Sequence, residues 1–325
     1  MTHAALTHTT LNGFDAIQVN IGPLSLTLMP ELGGKISSLR DESTGREWLW
    51  RHPRMAYKRV PPAGGSSYVA EADTGGWDEC FPSVAACEYP SAPWAGAAIQ
   101  DHGELWSQMV ALDIVEDADR VALRTRWHGV ALPYTFERTI TLAANSARLR
   151  VDYTAANNAE APIQFIWCLH ALLAIEPEME LRFPPSARFN RWAAHPPDLI
   201  AQDRDIRYPL TARGIDLRTL PDSSAAIALK LWSDPLPEGE GWATLRARDG
   251  EFHMRWDVAN LPQAAVWMNL GAWAADGGMP YYNLGLEPCI GAQDSLAEAV
   301  TQRNLFATLP PRGSREWGLE IELTA

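Results

Sequence analysis

The feature that most constrains this chain is how its apolar residues are spaced. They fall in many short runs of period two, separated by turn residues, and almost nowhere in a helical period. The segment AIQVNIGPLSLTLMP places two such runs around Gly22-Pro23, the signature of a hairpin. VALRTRWHGV alternates, and FERTITLAANSARLRVDYTAAN alternates on both sides of a turn at Asn145 and Ser146. IQFIWCLHALLAI is continuously apolar, which predicts a strand buried on both faces. AAIALKLW, WATLRARDG, EFHMRWDV and AAVWMNLGAW follow at short spacing, and REWGLEIELTA closes the chain with alternation. One stretch has helical character, Asp294 to Gln302, where Ser295 and Glu298 have capping-box spacing. The expected fold is therefore all-β, a large sandwich of antiparallel sheets with few short helices. No boundary divides residues 1–325, so a single domain is expected.

Composition narrows the function. The 325 residues carry a net charge of −13, which repels phosphate backbones and argues against a nucleic-acid partner. No apolar run is long enough to span a bilayer, and the first residues lack the basic start and apolar core of a signal peptide. Cys80, Cys87, Cys168 and Cys289 form no C-x-x-C pair, so neither a zinc site nor a redox motif is suggested. A cytoplasmic protein with free thiols, monomeric or homodimeric, is the expectation. Tryptophan is abundant, at 14 residues. Its flat apolar face suits the C–H faces of sugars, although large sandwiches also use it to fill cores.

Three segments interrupt the β pattern with chemistry. TGGWDECFPSV carries Trp77, Asp78 and Glu79; QDHGELW carries Asp101, His102, Glu104 and Trp106; NLGLEPCIGAQDSLAEA carries Glu287. Each alone reads as readily as a turn, an Asx bond or a cap. Glu287, between Leu286 and Pro288 at the end of an apolar run, is a candidate general base, because desolvation raises a carboxyl pKa. His170, in the middle of the apolar 163–175 run, is a second titratable group held on a strand. Two loops rich in Gly, Pro and Ala, residues 54–76 and 88–103, are where a β scaffold would carry a site.

Together LGGKISSLRDESTGREWLW, GGWDECFPSV, DHGELW, FERTITL, FIWCLHALLAI and GLEPCIGAQDSLAEA resemble, in order and across roughly residues 15–300, the galactose mutarotase-like superfamily of aldose 1-epimerases and their relatives. The resemblance implies a β-supersandwich and acid–base opening of a sugar ring, with Glu287 as base, His170 as acid and His102 binding or polarising the sugar. It implies no cofactor and no metal. Two departures stand out. Ala171 follows His170 where the family's typical enzymes carry proline, and Trp77-Asp78-Glu79 stands where they use an arginine. Asp78 and Glu79 are then candidates for binding hydroxyls, Lys35 is a candidate cation, and Trp77, Trp106, Trp167, Trp267 and Trp273 are candidate pocket walls.

The expected activity is exchange of the α and β anomers of a hexose or hexose derivative. One alternative is the same reaction on an anionic sugar, served by the basic cluster Arg51, His52, Arg54, Lys58 and Arg59. Another is a carbohydrate-binding protein that keeps the fold without the chemistry. A lyase or hydrolase using Tyr281 or Tyr282 is a third.

Overall fold

The structure is a computed structural model that describes residues 5–62, 65–117, 119–197, 199–200, 206–211, 214–275 and 277–325. The first four residues, and residues 63 and 64 of the 54–76 loop, lie outside the described residues. Two antiparallel sheets face each other. The larger holds twelve strands and the smaller eight. The centre of the larger sheet is built from β1 (Lys35–Asp41), β2 (Trp77–Cys80), β3 (Trp167–Ala174), β4 (Ile227–Ser233), β5 (Gln263–Leu270) and β6 (Tyr282–Ile290). Across the sheet they run in the order β1, β2, β3, β6, β5, β4.

The expected hairpins form. Phe14–Ile21 pairs with Leu24–Met29 around Gly22-Pro23, and Tyr134–Ala143 pairs with Arg148–Asn157 around Asn145 and Ser146. Leu296–Glu298 is helical, with Ser295 Oγ accepting from the Glu298 backbone N–H, as the capping spacing predicts. Two local readings differ. The apolar run 163–175 is two strands rather than one. Ile163–Phe165 pairs with Ala307–Leu309, the Ile166 N–H donates to Pro82, and β3 starts at Trp167. The 54–76 loop contains a one-turn helix, Tyr68–Glu71, capped by Ser67.

β3 is buried along seven of its eight residues, so it has no solvent face. Odd-numbered Trp167, Leu169, Ala171 and Leu173 point one way and even-numbered Cys168, His170 and Leu172 the other. The odd face meets the smaller sheet in one apolar core. The even face lies under the loops that carry Tyr68 and His102. Among the described residues no helix is long and apolar enough to cross a membrane.

Candidate active site

The site is a row of side chains on the even face, contributed by five of the six central strands. His170 pairs with Asp78 across β3 and β2. The register of β3 with β6 matches Cys168 to Cys289 and Leu172 to Gly285, which sets His170 opposite Glu287. Lys35 of β1 forms an ion pair with Asp78, and Lys230 of β4, opposite Trp267 of β5, reaches diagonally across β5 to form one with Glu287. His170 is thus bracketed by two lysine–carboxylate pairs. Every member is buried or nearly so, and Glu287 is 1 % exposed. Ion pairs this dry persist only when held geometrically. Lys35 also donates to the Gly75 carbonyl at 2.8 Å, and Tyr68 Oη donates to Asp78 Oδ2 at 2.6 Å.

A second layer closes over the row. His102 lies on the 88–103 loop with a φ of +59°. Gly103 follows, and a Cβ there would come within 2.1 Å of the Phe81 carbonyl, so only glycine lets the loop pass so close to β2. Asp101 Oδ1 accepts from His102 Nδ1 at 2.8 Å. Asp101 is itself fixed through Oδ2 by Ser67 Oγ at 3.1 Å and the Val69 N–H at 3.3 Å. The Tyr68 ring stacks on His102 at 4.4 Å and meets His170 edge-on at 5.4 Å. The two imidazoles are perpendicular, with centroids 4.9 Å apart. Trp106 packs edge-on against Tyr68 and donates Nε1–H to the Asp101 carbonyl at 2.8 Å. Glu104 accepts from the Val130 and Ala131 N–H groups and from Tyr134 Oη, which anchors the loop away from the row.

Electrostatics separate the two histidines. Burial, with the charges of His102, Lys230 and Lys35 beside it, holds the His170 pKa well below the ordinary imidazole value. Burial opposes charge on His102 too. There the hydrogen bond and charge of Asp101, with Asp73 beyond, outweigh it and raise the pKa. Burial likewise works against the Lys230 ammonium, but Glu287 and Asp294 outweigh it and hold it charged. Burial, together with Glu287, raises the Cys168 thiol, which contacts Glu287 Oε2 at 3.5 Å. The cysteines are less scattered than their chain positions suggest. Cys80, Cys168 and Cys289 are neighbours on adjacent strands, all free thiols.

The structure brings together Glu287, His170, His102, Asp78 and Lys35, with Trp106 behind them. It does not bring Trp77, Glu79 or Trp167 to the row. These lie on the opposite face, where Glu79 Oε1 accepts from Trp77 Nε1 at 2.9 Å, Arg138 at 3.1 Å and Tyr153 Oη at 3.0 Å, and Oε2 accepts from Trp167 Nε1 at 3.2 Å. The cause is period-two alternation, which aims neighbours of Asp78 and odd-numbered neighbours of His170 into the core. Trp267 is half-buried on β5, opposite Lys230, and its ring is perpendicular to Trp273 at 5.7 Å. Trp273, Tyr281 and Trp50 continue this aromatic wall, with contacts of 5.6 and 5.2 Å.

Within the basic cluster His52 is buried against Trp50 and Tyr281 of the aromatic wall, and the long cations engage the surface. Lys58 pairs with Glu71 and Arg59 with Glu31, while Arg54 donates to the Met279 carbonyl. Lys58 and Arg59 do line a cavity with Lys35 and Asp78, but its open volume is about 10 Å³, too small for a sugar substituent. Tyr282 Oη donates to the Pro221 carbonyl at 2.6 Å, and Tyr281 is held in the aromatic wall. Among the described residues no group of three His, Cys, Asp or Glu side chains is placed to hold a metal ion.

Lys230, Tyr68 and Asp101 are the parts of the site that the sequence reading does not assign a role. A lysine alone in the apolar strand AIALKLW signals the first, and Asp101 adjoins His102. Nothing in the sequence around Tyr68 marks it.

No protein-family model matches the chain, and no curated protein matches it. Solved structures do match, over nearly all of its length. A Klebsiella pneumoniae protein proposed to be an aldose 1-epimerase superposes with a TM-score of 0.75 at 14 % identity, covering 100 % of this chain and 85 % of that one. A galactose mutarotase-like protein of Clostridium acetobutylicum gives 0.67 at 10 % identity, covering 99 % and 98 %. Galactose 1-epimerase of Lactobacillus acidophilus gives 0.59 at 11 % identity, covering 99 % of each. At these identities the likeness is one of fold.

Proposed function

We propose, from the premise that this chain has the galactose mutarotase-like fold, that it is an aldose 1-epimerase acting on a hexose or hexose derivative. The observation that carries the reading is the row itself: a carboxylate, Glu287, and a histidine, His170, opposite one another on adjacent strands, with His102 above them. Anomer exchange needs one proton acceptor and one donor on two oxygens of the same ring. Glu287 takes the proton of the anomeric hydroxyl, and the electron pair forms the C1=O1 bond. The C1–O5 bond breaks, and O5 takes a proton from an imidazole. The C1–C2 bond then rotates, and the reverse transfers close the ring as the other anomer. The strand mounting of Glu287 and His170, with His102 fixed above them by Asp101 and Tyr68, supports the reading, because fixed placement of reacting and sugar-binding groups supplies much of such a rate. The aromatic wall of Trp267 and Trp273 suits the apolar face of a pyranose.

Anomer exchange by magnetization-transfer NMR, across neutral and acidic sugars, tests this. We expect at least one neutral aldose to exchange, and Glu287→Gln to slow it by about 10²–10⁴-fold. Sugar binding with no exchange would favour the carbohydrate-binding alternative. The surface pairing of Lys58 and Arg59 leaves nothing specific in favour of an anionic sugar.

A further inference from the structure

We propose that the Asp101–His102 pair, and not His170, supplies the proton to the ring oxygen. This rests on the anomer-exchange reading above and assigns the donor within it.

The geometry carries the assignment. An ionised carboxylate only accepts hydrogen bonds, so the 2.8 Å contact at Asp101 Oδ1 fixes a proton on His102 Nδ1. When the ring is charged, its second proton sits on Nε2, the only other donor. Asp101 cannot swing away, because Ser67 and Val69 hold its other oxygen. The His102 ring cannot turn freely, because Tyr68 stacks on it. This is the arrangement by which a carboxylate orients an imidazole and stabilises its charged form.

His170 has none of this. Among the described residues its Nδ1 has no hydrogen-bond partner and no carboxylate bonds to the ring. Its neighbour Asp78 is ion-paired with Lys35 and accepts from Tyr68 through Oδ2, while its Oδ1 has no partner among the described residues and makes no bond to the ring; its neighbour Glu287 is engaged through Oε2 by Lys230 and Cys168. The groups facing it are thus His102, Tyr68, Asp78, Glu287, Lys35 and Lys230, and each of the two carboxylates already has a lysine as its counter-ion. Those facing His102 are Asp101, Asp73, Asp294, Tyr68, His170 and Lys230. An imidazolium at His170 would stand among cations in a dry site; one at His102 stands on its counter-ion.

The chemistry needs this distinction. A neutral imidazole can hydrogen-bond to a sugar oxygen but is far too weak an acid to protonate it, whereas an imidazolium is well matched near neutral pH. His102 is then the acid and returns to the charged state when the ring closes. His170 is a neutral contact that orients the sugar. Asp101 is a positioning residue, acting through His102.

The test is imidazole NMR on the full-length protein, paired with the pH profile of exchange. His102 is expected to titrate above the ordinary imidazole value and His170 to stay neutral through the ordinary imidazole range. Exchange should fall as pH rises through the His102 midpoint. Asp101→Asn should move both that midpoint and the alkaline limb of the rate profile down by about one unit or more. His170→Gln should raise KM and leave the limb in place. Titration of His170 near neutrality with His102 silent would overturn the assignment. So would a limb that moves with His170→Gln and not with Asp101→Asn. Wild-type protein that exchanges no sugar would overturn the activity reading, and this donor assignment with it.

Discussion

Asp73 shows what a single residue at this site costs the fold. It is buried beside the row, its Oδ1 lacks a partner, and burial pushes its pKa up to about 6. An acid whose pKa rises on folding stabilises the native state while protonated. That contribution is complete below the ordinary value of 3.8, declines as pH rises and is gone above about 6. Asp73→Asn keeps the shape and removes the charge. The variant should match the wild type near pH 4 and exceed it at pH 7.5, by at most about 3 kcal/mol for a shift of this size. Urea unfolding at the two pH values checks this; a constant difference would mean that Asp73 is not protonated by folding. At this scale the sequence was legible where a titratable residue stood alone in an apolar run. His170 and Glu287 both announce themselves in that way, and Lys230 does too if a lone inward lysine is read as a signal. Tyr68 was not legible, because its role comes from stacking on a residue 34 positions away, and stacking leaves no spacing to read.

The strands explain which sequence neighbours separate in space. Trp77, Asp78 and Glu79 are consecutive, so a strand must send Asp78 to one face and its neighbours to the other. The same parity parts Trp167 from His170. The alternation needed for this was available in the sequence; the strand boundary at Trp167 was not, because it follows from the pairing of Ile163–Phe165 with a segment near the C-terminus. Parity also gives Gly285 its place. It lies two residues before Glu287 on the same face, and a Cβ there would meet Glu287 Oε1 at 2.7 Å and the Trp267 Cβ at 3.0 Å. The glycine leaves the space into which the Glu287 carboxylate settles beside Lys230. Gly285→Ala should therefore displace that carboxylate while the strand still pairs. We expect exchange to slow by about 10–100-fold, since small misplacements of a catalytic group are costly. The circular dichroism spectrum should be unchanged. Wild-type exchange in this variant would show that the carboxylate has other room to move.

Across the whole molecule, the two sheets are joined by a charge as well as by apolar packing. Arg138, on the smaller sheet, reaches Glu79 on β2, and both are about 1 % exposed. Trp77, Trp167 and Tyr153 complete the donors around the carboxylate, so one residue of the central sheet gathers contacts from both layers directly behind the Lys35–Asp78–His170 row. Nothing in the sequence distinguishes Arg138 from the other alternating arginines of its hairpin, because inward and outward positions differ only by the parity the fold assigns. Removing one partner of such a pair leaves an uncompensated buried charge, which typically costs about 3–5 kcal/mol. Arg138→Met should therefore destabilise by that amount near pH 8. Burial already raises Glu79 to about pH 7, and losing the guanidinium removes an opposing influence, so the orphaned carboxyl should be protonated well into the neutral range. The loss is then expected to shrink at pH 5, where no charge remains to be left unpaired. Adding Glu79→Gln to Arg138→Met should recover much of the loss at pH 8 and little at pH 5, because glutamine keeps an acceptor for the indoles and the phenol without the charge. Chemical denaturation of the wild type, the single variant and the double variant at both pH values measures this. Equal losses at the two pH values, with no recovery in the double variant, would mean that Arg138 acts by filling space between the sheets and that its charge does not help to join them.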